Sequence, residues 1–319
     1  MKKLWISIVT VQMIAFGCAH TVTNDLPQGL LTGEHGRIVR IANGELISPR
    51  DALSELATYE AIYAAESHDN EAHHEIQELL VQGLLALGVR PTLAFEMLQE
   101  KDQKHLDAYV AGTLSEDQFL DRIQWSTSWG YPFKHYRALF RAAREHSLEA
   151  IAINADRNIV RAIAKGGKEG LTPSQEATCP PLDSGTDAHR AYIKHFFKGH
   201  GAHGHGHSGG NFERFYQAQL VWDETMARNV KAATARSKGP VIVFAGKGHV
   251  EFAHGIPSRA SHSGDDFVII VPLEKGTLHK QHKSLRVLSY PTKKGDFFWE
   301  ASSEPTPLKG VHGHGSQSR

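Results

Sequence analysis

Glu66, His68, His73 and His74 fall within nine residues, in the stretch Glu60-Ala-Ile-Tyr-Ala-Ala-Glu66-Ser-His68-Asp-Asn-Glu-Ala-His73-His74-Glu75. A carboxylate beside an imidazole can move a proton, and the two together can ligate a divalent metal. The elements that must carry these residues can be read from their flanks. Ala61 to Ala65 is short, apolar and bounded by polar residues, as a buried parallel strand should be. Asp69 and Asn70 then offer helix caps, and Ile76, Leu79, Leu80, Leu84 and Leu87 recur at helical spacing before Gly88. The stretch is a strand, a turn and a helix. Its polar groups sit at the carboxyl end of the strand, where open α/β sheets bind ligands. His73 precedes Ile76 by three and Leu80 by seven, so it lies on the buried face of the helix. Four such groups are more than a helix cap needs.

The pattern recurs. Pro91 to Phe95 is an apolar run ending in Glu96. Leu148 to Ile153 is another, ending in Asn154. Pro240 to Ala245 leads into Gly246-Lys247-Gly248-His249, a turn whose glycines let the backbone approach a ligand. Strands alternating with helices predict an α/β fold: a mostly parallel central sheet flanked by helices, in a single large domain. Such a sheet brings Glu66, His68, Glu96, Asn154 and His249 to one edge. That set admits three chemistries. Glu66, Glu96, His68 and His249, with His73 and His74, can hold a divalent metal. Glu66 or Glu96 can act as a general base in a hydrolase. The same groups can also satisfy one another as a buried polar network.

Other segments frame this edge. Arg37 to Ile41 and Glu45 to Ile47 read as a hairpin turning at Asn43-Gly44, and Ser48-Pro49 opens a helix. Trp125, Trp129, Tyr131, Phe133 and Tyr136 form an aromatic cluster, suited to a core or to a flat apolar ligand. Asn211 to Lys231 is the longest predicted helix. Phe267 to Val271 and Leu285 to Ser289 read as the last strands. Ala188 to Phe197 reads as helix, and residues 195–210 hold an exposed glycine-rich loop with His200, His203, His205 and His207. Close-spaced neutral imidazoles there would form an auxiliary site for zinc, copper or nickel.

The 319 residues carry 35 basic and 35 acidic side chains, a balance that argues against nucleic acid as a partner. Histidine is in excess, at 21 residues, much of it in glycine-rich clusters. Residues 1–18 read as a lipoprotein signal peptide: Lys2 and Lys3 precede an apolar run that ends Ile14-Ala-Phe-Gly-Cys18. That ending resembles a bacterial lipobox, with Cys18 as the lipidated residue. No aspartate follows the cysteine, which favours the outer membrane over retention at the inner one. The expected location is the bacterial cell envelope, anchored by lipid. Cys179 is the second cysteine, so a lipidated Cys18 excludes an internal disulfide. Residues 19–36 read as a tether, 37–290 as the α/β domain, and 291–319 as a disordered tail containing His and Gly.

Several of these stretches together resemble the ChaN family of haem-binding lipoproteins, within the wider Tiki/TraB/erythromycin-esterase-like superfamily. They are Glu66-Ser-His68-Asp-Asn70 with His73-His74, Phe95-Glu96-Met97, Trp125 through Trp129 with Tyr136, the Asn154 strand end, Phe212 to Gln219 with Trp222-Asp223, and Ala245-Gly246-Lys-Gly-His249. The resemblance spans residues 37 to 271. It implies haem bound face to face at a homodimer interface, a tyrosine on the iron, and a part in haem or iron uptake. Tyr131, Tyr136, Tyr192 and Tyr216 are the candidates for that ligand. Superfamily relatives that are metalloproteases carry paired Gly-x-x-His motifs and a glutamate. Here the second motif is intact at Gly246 to His249, while the first reads Ala65-Glu-Ser-His68. The resemblance therefore carries two readings, a haem-binding protein and a metal-dependent peptidase or esterase.

Overall fold

The apolar runs that end in polar residues all form strands. The computed structural model describes residues 36–182, 185–200, 211–260, 266–277 and 296–300. Its strands are β1 (Arg37–Arg40), β2 (Leu46–Ile47), β3 (Ala61–Glu66), β4 (Thr92–Gln99), β5 (Ala150–Asn154), β6 (Val241–Gly246), β7 (Phe267–Leu273) and β8 (Phe297–Glu300). They make one sheet in the order β2-β1-β8-β7-β3-β6-β4-β5. From β8 to β5 every pairing is parallel. The β1–β2 hairpin adds the antiparallel edge. Its turn closes through Gly44, whose backbone has φ 76° and whose N–H donates to the Arg40 carbonyl.

Among the described residues, seven helices have eight residues or more: α1 (Pro49–Leu56), α2 (Glu71–Ala86), α3 (Gln103–Val110), α4 (Arg137–Glu145), α5 (Arg157–Gly166), α6 (Asp187–His200) and α7 (Phe212–Thr234). The sheet separates two cores. Along β3, Ile62 and Ala64 join the core under α1 to α4, while Ala61, Tyr63 and Ala65 join the core under α7. β6 divides the same way, with Ile242 and Phe244 on one face and Val241, Val243 and Ala245 on the other. With both faces covered, these strands are apolar at every position rather than at alternate ones. Each fully buried Ile, Phe or Leu contributes about 1.5–3 kcal/mol.

The order of strands positions the site. β3 and β4 follow each other in the chain through α2, but β6 lies between them. The residues after β6 therefore emerge between Glu66 and Glu96.

The carboxyl-terminal segment departs from the expectation. Residues 291–319 were expected as a disordered tail, yet Phe297–Glu300 is the buried strand β8, between β1 and β7. Phe297 and Trp299 face one core and Phe298 the other. Three consecutive aromatics suffice for a short strand, and polar neighbours hide them in the sequence. The flanking acids are structural: Asp296 accepts from the Ile269 N–H at 3.0 Å, and Glu300 accepts from Arg37 at 2.6 Å. The expected strand at Leu285 to Ser289 lies outside the described residues. So do residues 1–35, including Cys18, and His203, His205 and His207. Of the predicted loop at 195–210, residues 195–200 are the end of α6, and residues 201–210 lie outside the described residues. β4 also runs beyond Glu96 to Gln99, with a register shift between Phe95 and Gln99.

Candidate functional site

All five predicted strand-end residues meet at the carboxyl edge of β3, β6, β4 and β5. Glu66 ends β3 and is 1% exposed. Its Oε1 lies 2.7 Å from His68 Nδ1 and accepts the Tyr136 hydroxyl at 2.9 Å. Its Oε2 accepts the Gln77 amide at 2.8 Å. Burial favours the neutral acid, but the His68 bond and the nearby imidazoles more than reverse it and hold this carboxyl below its usual range. Burial likewise opposes the His68 cation, yet the Glu66 bond and the Glu96 charge lift its pKa.

On the other side, Glu96 Oε2 accepts the Gly246 N–H at 2.6 Å, and Glu96 Oε1 is 3.4 Å from His249 Nε2. Asn154 fixes this strand end by donating to the Glu96 carbonyl at 2.7 Å. Gly246 lies under His68. A Cβ at this position would sit 2.9 Å from His68 Cε1 and 3.1 Å from Nε2. Glycine at 246 is thus a requirement of the His68 ring.

The long helix α7 supplies two groups one turn apart. Asp223 Oδ1 lies 2.7 Å from His249 Nδ1, and the Gln219 amide 2.9 Å from the same nitrogen. Burial would depress the His249 cation, but Glu96 and Asp223 outweigh it and raise its pKa to about 9. Asp223 extends the array inward, with Oδ2 3.3 Å from His189 Nε2. His189 Nδ1 faces the Tyr216 hydroxyl at 3.1 Å and Arg259 Nη2 at 3.2 Å. Both of those are donors, so Nδ1 accepts and Nε2 carries the proton towards Asp223.

The remaining predicted ligands are placed differently. His74 contacts the Gln77 amide oxygen at 3.1 Å and the His68 carbonyl at 3.2 Å through its two ring nitrogens. His73 Nδ1 accepts the Ser67 N–H at 2.9 Å, and burial followed by the Lys247 charge lowers its pKa to about 3. Among the described residues, no group of three or more His, Cys, Asp or Glu side chains is disposed to hold one metal ion. Of the groups expected to ligate it, Glu66 pairs with His68 and Glu96 with His249, while His73 and His74 bond to backbone and amide groups.

The four candidate tyrosines separate sharply. Tyr136 is fully buried, and burial with the Glu66 charge pushes its phenol far above the ordinary value. Tyr216 is 5% exposed against His189. Tyr192 donates to Glu251 Oε2 at 2.9 Å. Tyr131 is 36% exposed, and its hydroxyl has no hydrogen bond to the described residues. Its ring lies 4.9 Å from His68 and 5.9 Å from Trp129, centroid to centroid. Of the aromatic segment at 125–136, Trp125, Phe133 and Tyr136 enter the core, and Tyr131 stays exposed.

Gln77, His189, Tyr216 and Arg259 were not singled out as members of this network by the sequence. A glutamine three residues after His74, on a helix face with Ile76 and Leu80, was the available signal for Gln77. His189 was hidden among the surplus histidines.

A mostly parallel sheet flanked by helices, with an acid–base array at its carboxyl edge, defines an α/β domain. The family model described as "Haem-binding uptake, Tiki superfamily, ChaN" matches residues 52–260, and the chain belongs to that family. Among solved structures, "Cofacial heme binding to ChaN of Campylobacter jejuni" is similar at 19% identity and a TM-score of 0.58, over 75% of this chain and 91% of that one. A mutant of the erythromycin esterase EreC, in its open conformation, is similar at 13% identity and a TM-score of 0.45, over 76% of this chain and 77% of that one. No curated relative matches the chain.

Proposed function

We propose that this protein is a lipid-anchored haem-binding protein, accessory to haem or iron uptake at the bacterial outer membrane, with Tyr131 as the iron ligand. The carrying observation is the open Tyr131 phenol, which is exposed and unbonded among the described residues and lies beside aromatic rings. Membership of a haem-binding family supports the ligand. The residues fit a flat porphyrin: Trp129 and the Tyr131 ring offer apolar contact, and the phenol offers an anionic oxygen to ferric iron. Tyr136 and Tyr216 are enclosed and already bonded. The signal-like residues 1–18 and Cys18 support the anchor, and the balanced charge supports partners other than nucleic acid.

Tyr131→Phe in the full chain is expected to weaken saturable ferric-haem binding by about tenfold or more, the loss of one iron–ligand bond. Tyr192→Phe should leave the Soret titration unchanged. Equal loss in both variants would reject Tyr131 as the ligand.

A second reading, hydrolysis of an ester or peptide, is favoured by the Glu66–His68 pair. Glu66 orients the His68 ring above Gly246, across from Glu96 and His249. His68 would take a proton from water and His249 would return one to the leaving group. A metal-dependent version must first free side chains that are bonded to protein. Aryl-ester turnover lost in Glu66→Gln and His68→Gln, but kept in Tyr131→Phe, would establish this activity. No turnover by the unaltered chain would dismiss it.

A further inference from the structure

His73 presents a buried donor with nothing to receive it. Its Nδ1 accepts the Ser67 N–H at 2.9 Å, so that nitrogen carries no proton. The neutral ring must therefore bear its proton on Nε2. His73 is 2% exposed, and Nε2 has no hydrogen-bond partner among the described residues. Buried donors are nearly always paired, and an unpaired one costs free energy unless a ligand or water completes it.

A second free donor lies alongside. β3 and β6 pair in register with Glu66 opposite Gly246, so the next residues, Ser67 and Lys247, leave the sheet side by side. The Ser67 backbone holds His73. Lys247 is partly buried, its ammonium has no ion-pair or hydrogen-bond partner within contact distance among the described residues, and its charge acts on His73 and on Glu251. The neighbouring carboxylates have bonds of their own. Glu66 takes His68, Tyr136 and Gln77, and Glu251 takes the Tyr192 hydroxyl. The unpaired His73 N–H and the Lys247 ammonium thus both belong to segments that leave the paired ends of β3 and β6, beside the strand end that carries His68 towards Tyr131.

We propose that His73 Nε2–H and Lys247 Nζ form an anion subsite that receives a carboxylate of the bound ligand. The identity of that ligand, a porphyrin carrying propionates, rests on the haem reading. The subsite itself does not. Tyr131 would hold the iron, and this corner would fix which way the porphyrin's acidic edge points.

The full chain is titrated with ferric haem and with its dimethyl ester, in which both carboxylates are masked. The free acid should bind about tenfold more tightly or better, as a charge-assisted bond implies. Lys247→Gln and His73→Leu should remove that preference by weakening the acid and leaving the ester unaffected. Loss of both ligands together, or of neither, in Lys247→Gln overturns the proposal. Lys247 is partly exposed and its side chain makes no bond among the described residues, so this variant folds even if His73→Leu does not. Sodium propionate supplies an arm that needs no haem. A saturable shift of the His73 ring nitrogens in the unaltered chain, absent in Lys247→Gln, supports the subsite. No shift overturns it, whichever way the porphyrin titrations fall. Failure of the unaltered chain to bind either porphyrin rejects the haem reading alone.

Discussion

His249 is a cation held between two carboxylates in a nearly closed site, with a side chain only 13% exposed. Its pKa is raised from 6.5 to about 9, by Glu96 and Asp223 acting against burial. A raised imidazole pKa adds stability that is complete below the unfolded value and lost as pH climbs through the folded one. The window runs from 6.5 to about 9. A shift of that size corresponds to about 3 kcal/mol. Urea unfolding should therefore show stability falling by about that amount between pH ~6 and pH ~10. His249→Gln should flatten most of the slope, and Asp223→Asn part of it, because Glu96 remains. A slope that survives His249→Gln would assign the effect to another group. His249 and Glu96 were legible because each follows an apolar run. Asp223 was recognisable only as a polar group one turn after Gln219 on an amphipathic helix. Nothing in its spacing said that it bridges two imidazoles. Tyr136 was read as a candidate iron ligand because sequence shows that a phenol is present, not that Glu66 has already taken its hydroxyl.

At the scale of elements, strand identity was legible where both faces of the sheet are covered. β3, β4, β5, β6 and β7 are runs of apolar residues, and such runs have few alternatives in a chain that alternates them with helices. Their neighbours in space were not legible. The insertion of β6 between β3 and β4 is a tertiary choice, and it puts Gly246 against both His68 and Glu96. β8 was missed because four residues carry too short a pattern to outweigh the polar sequence around them. Its contribution can be measured. Trp299 is 1% exposed and packs in the larger core with Ile38 and Phe297. Trp299→Ala should cost about 3–5 kcal/mol, the range for deleting a large buried aromatic. The check is the denaturant midpoint at unchanged slope. A loss below about 1 kcal/mol would mean that β8 contributes little to the sheet, since ordinary surface substitutions stay within that range.

The whole molecule presents its acid–base groups and its open phenol at one edge of one sheet. That arrangement sets how haem binding should depend on pH and on a second chain. Burial, then the charges of Asp69, Glu96 and Glu66, raise the Tyr131 pKa above that of a free phenol. The free protein therefore holds this phenol protonated at neutral pH, and a ferric ion must displace the proton. Affinity should rise with pH, by about tenfold per unit while one proton is released. A titration at pH ~6, ~7 and ~8 separates this from protonation at His68, which would curve the dependence as the imidazole titrates. A porphyrin has two faces, and one exposed tyrosine covers one of them. The near balance of basic and acidic side chains puts little net repulsion between two copies. Haem should thus draw two chains together over the ligand. Sedimentation of the full chain should show the mass doubling at saturation and returning to that of one chain in Tyr131→Phe. The dimer should also dissociate as pH falls, in step with the loss of the Soret band, because both depend on the same proton. A dimer that persists without haem at every pH would separate association from the phenol and place the interface on another face.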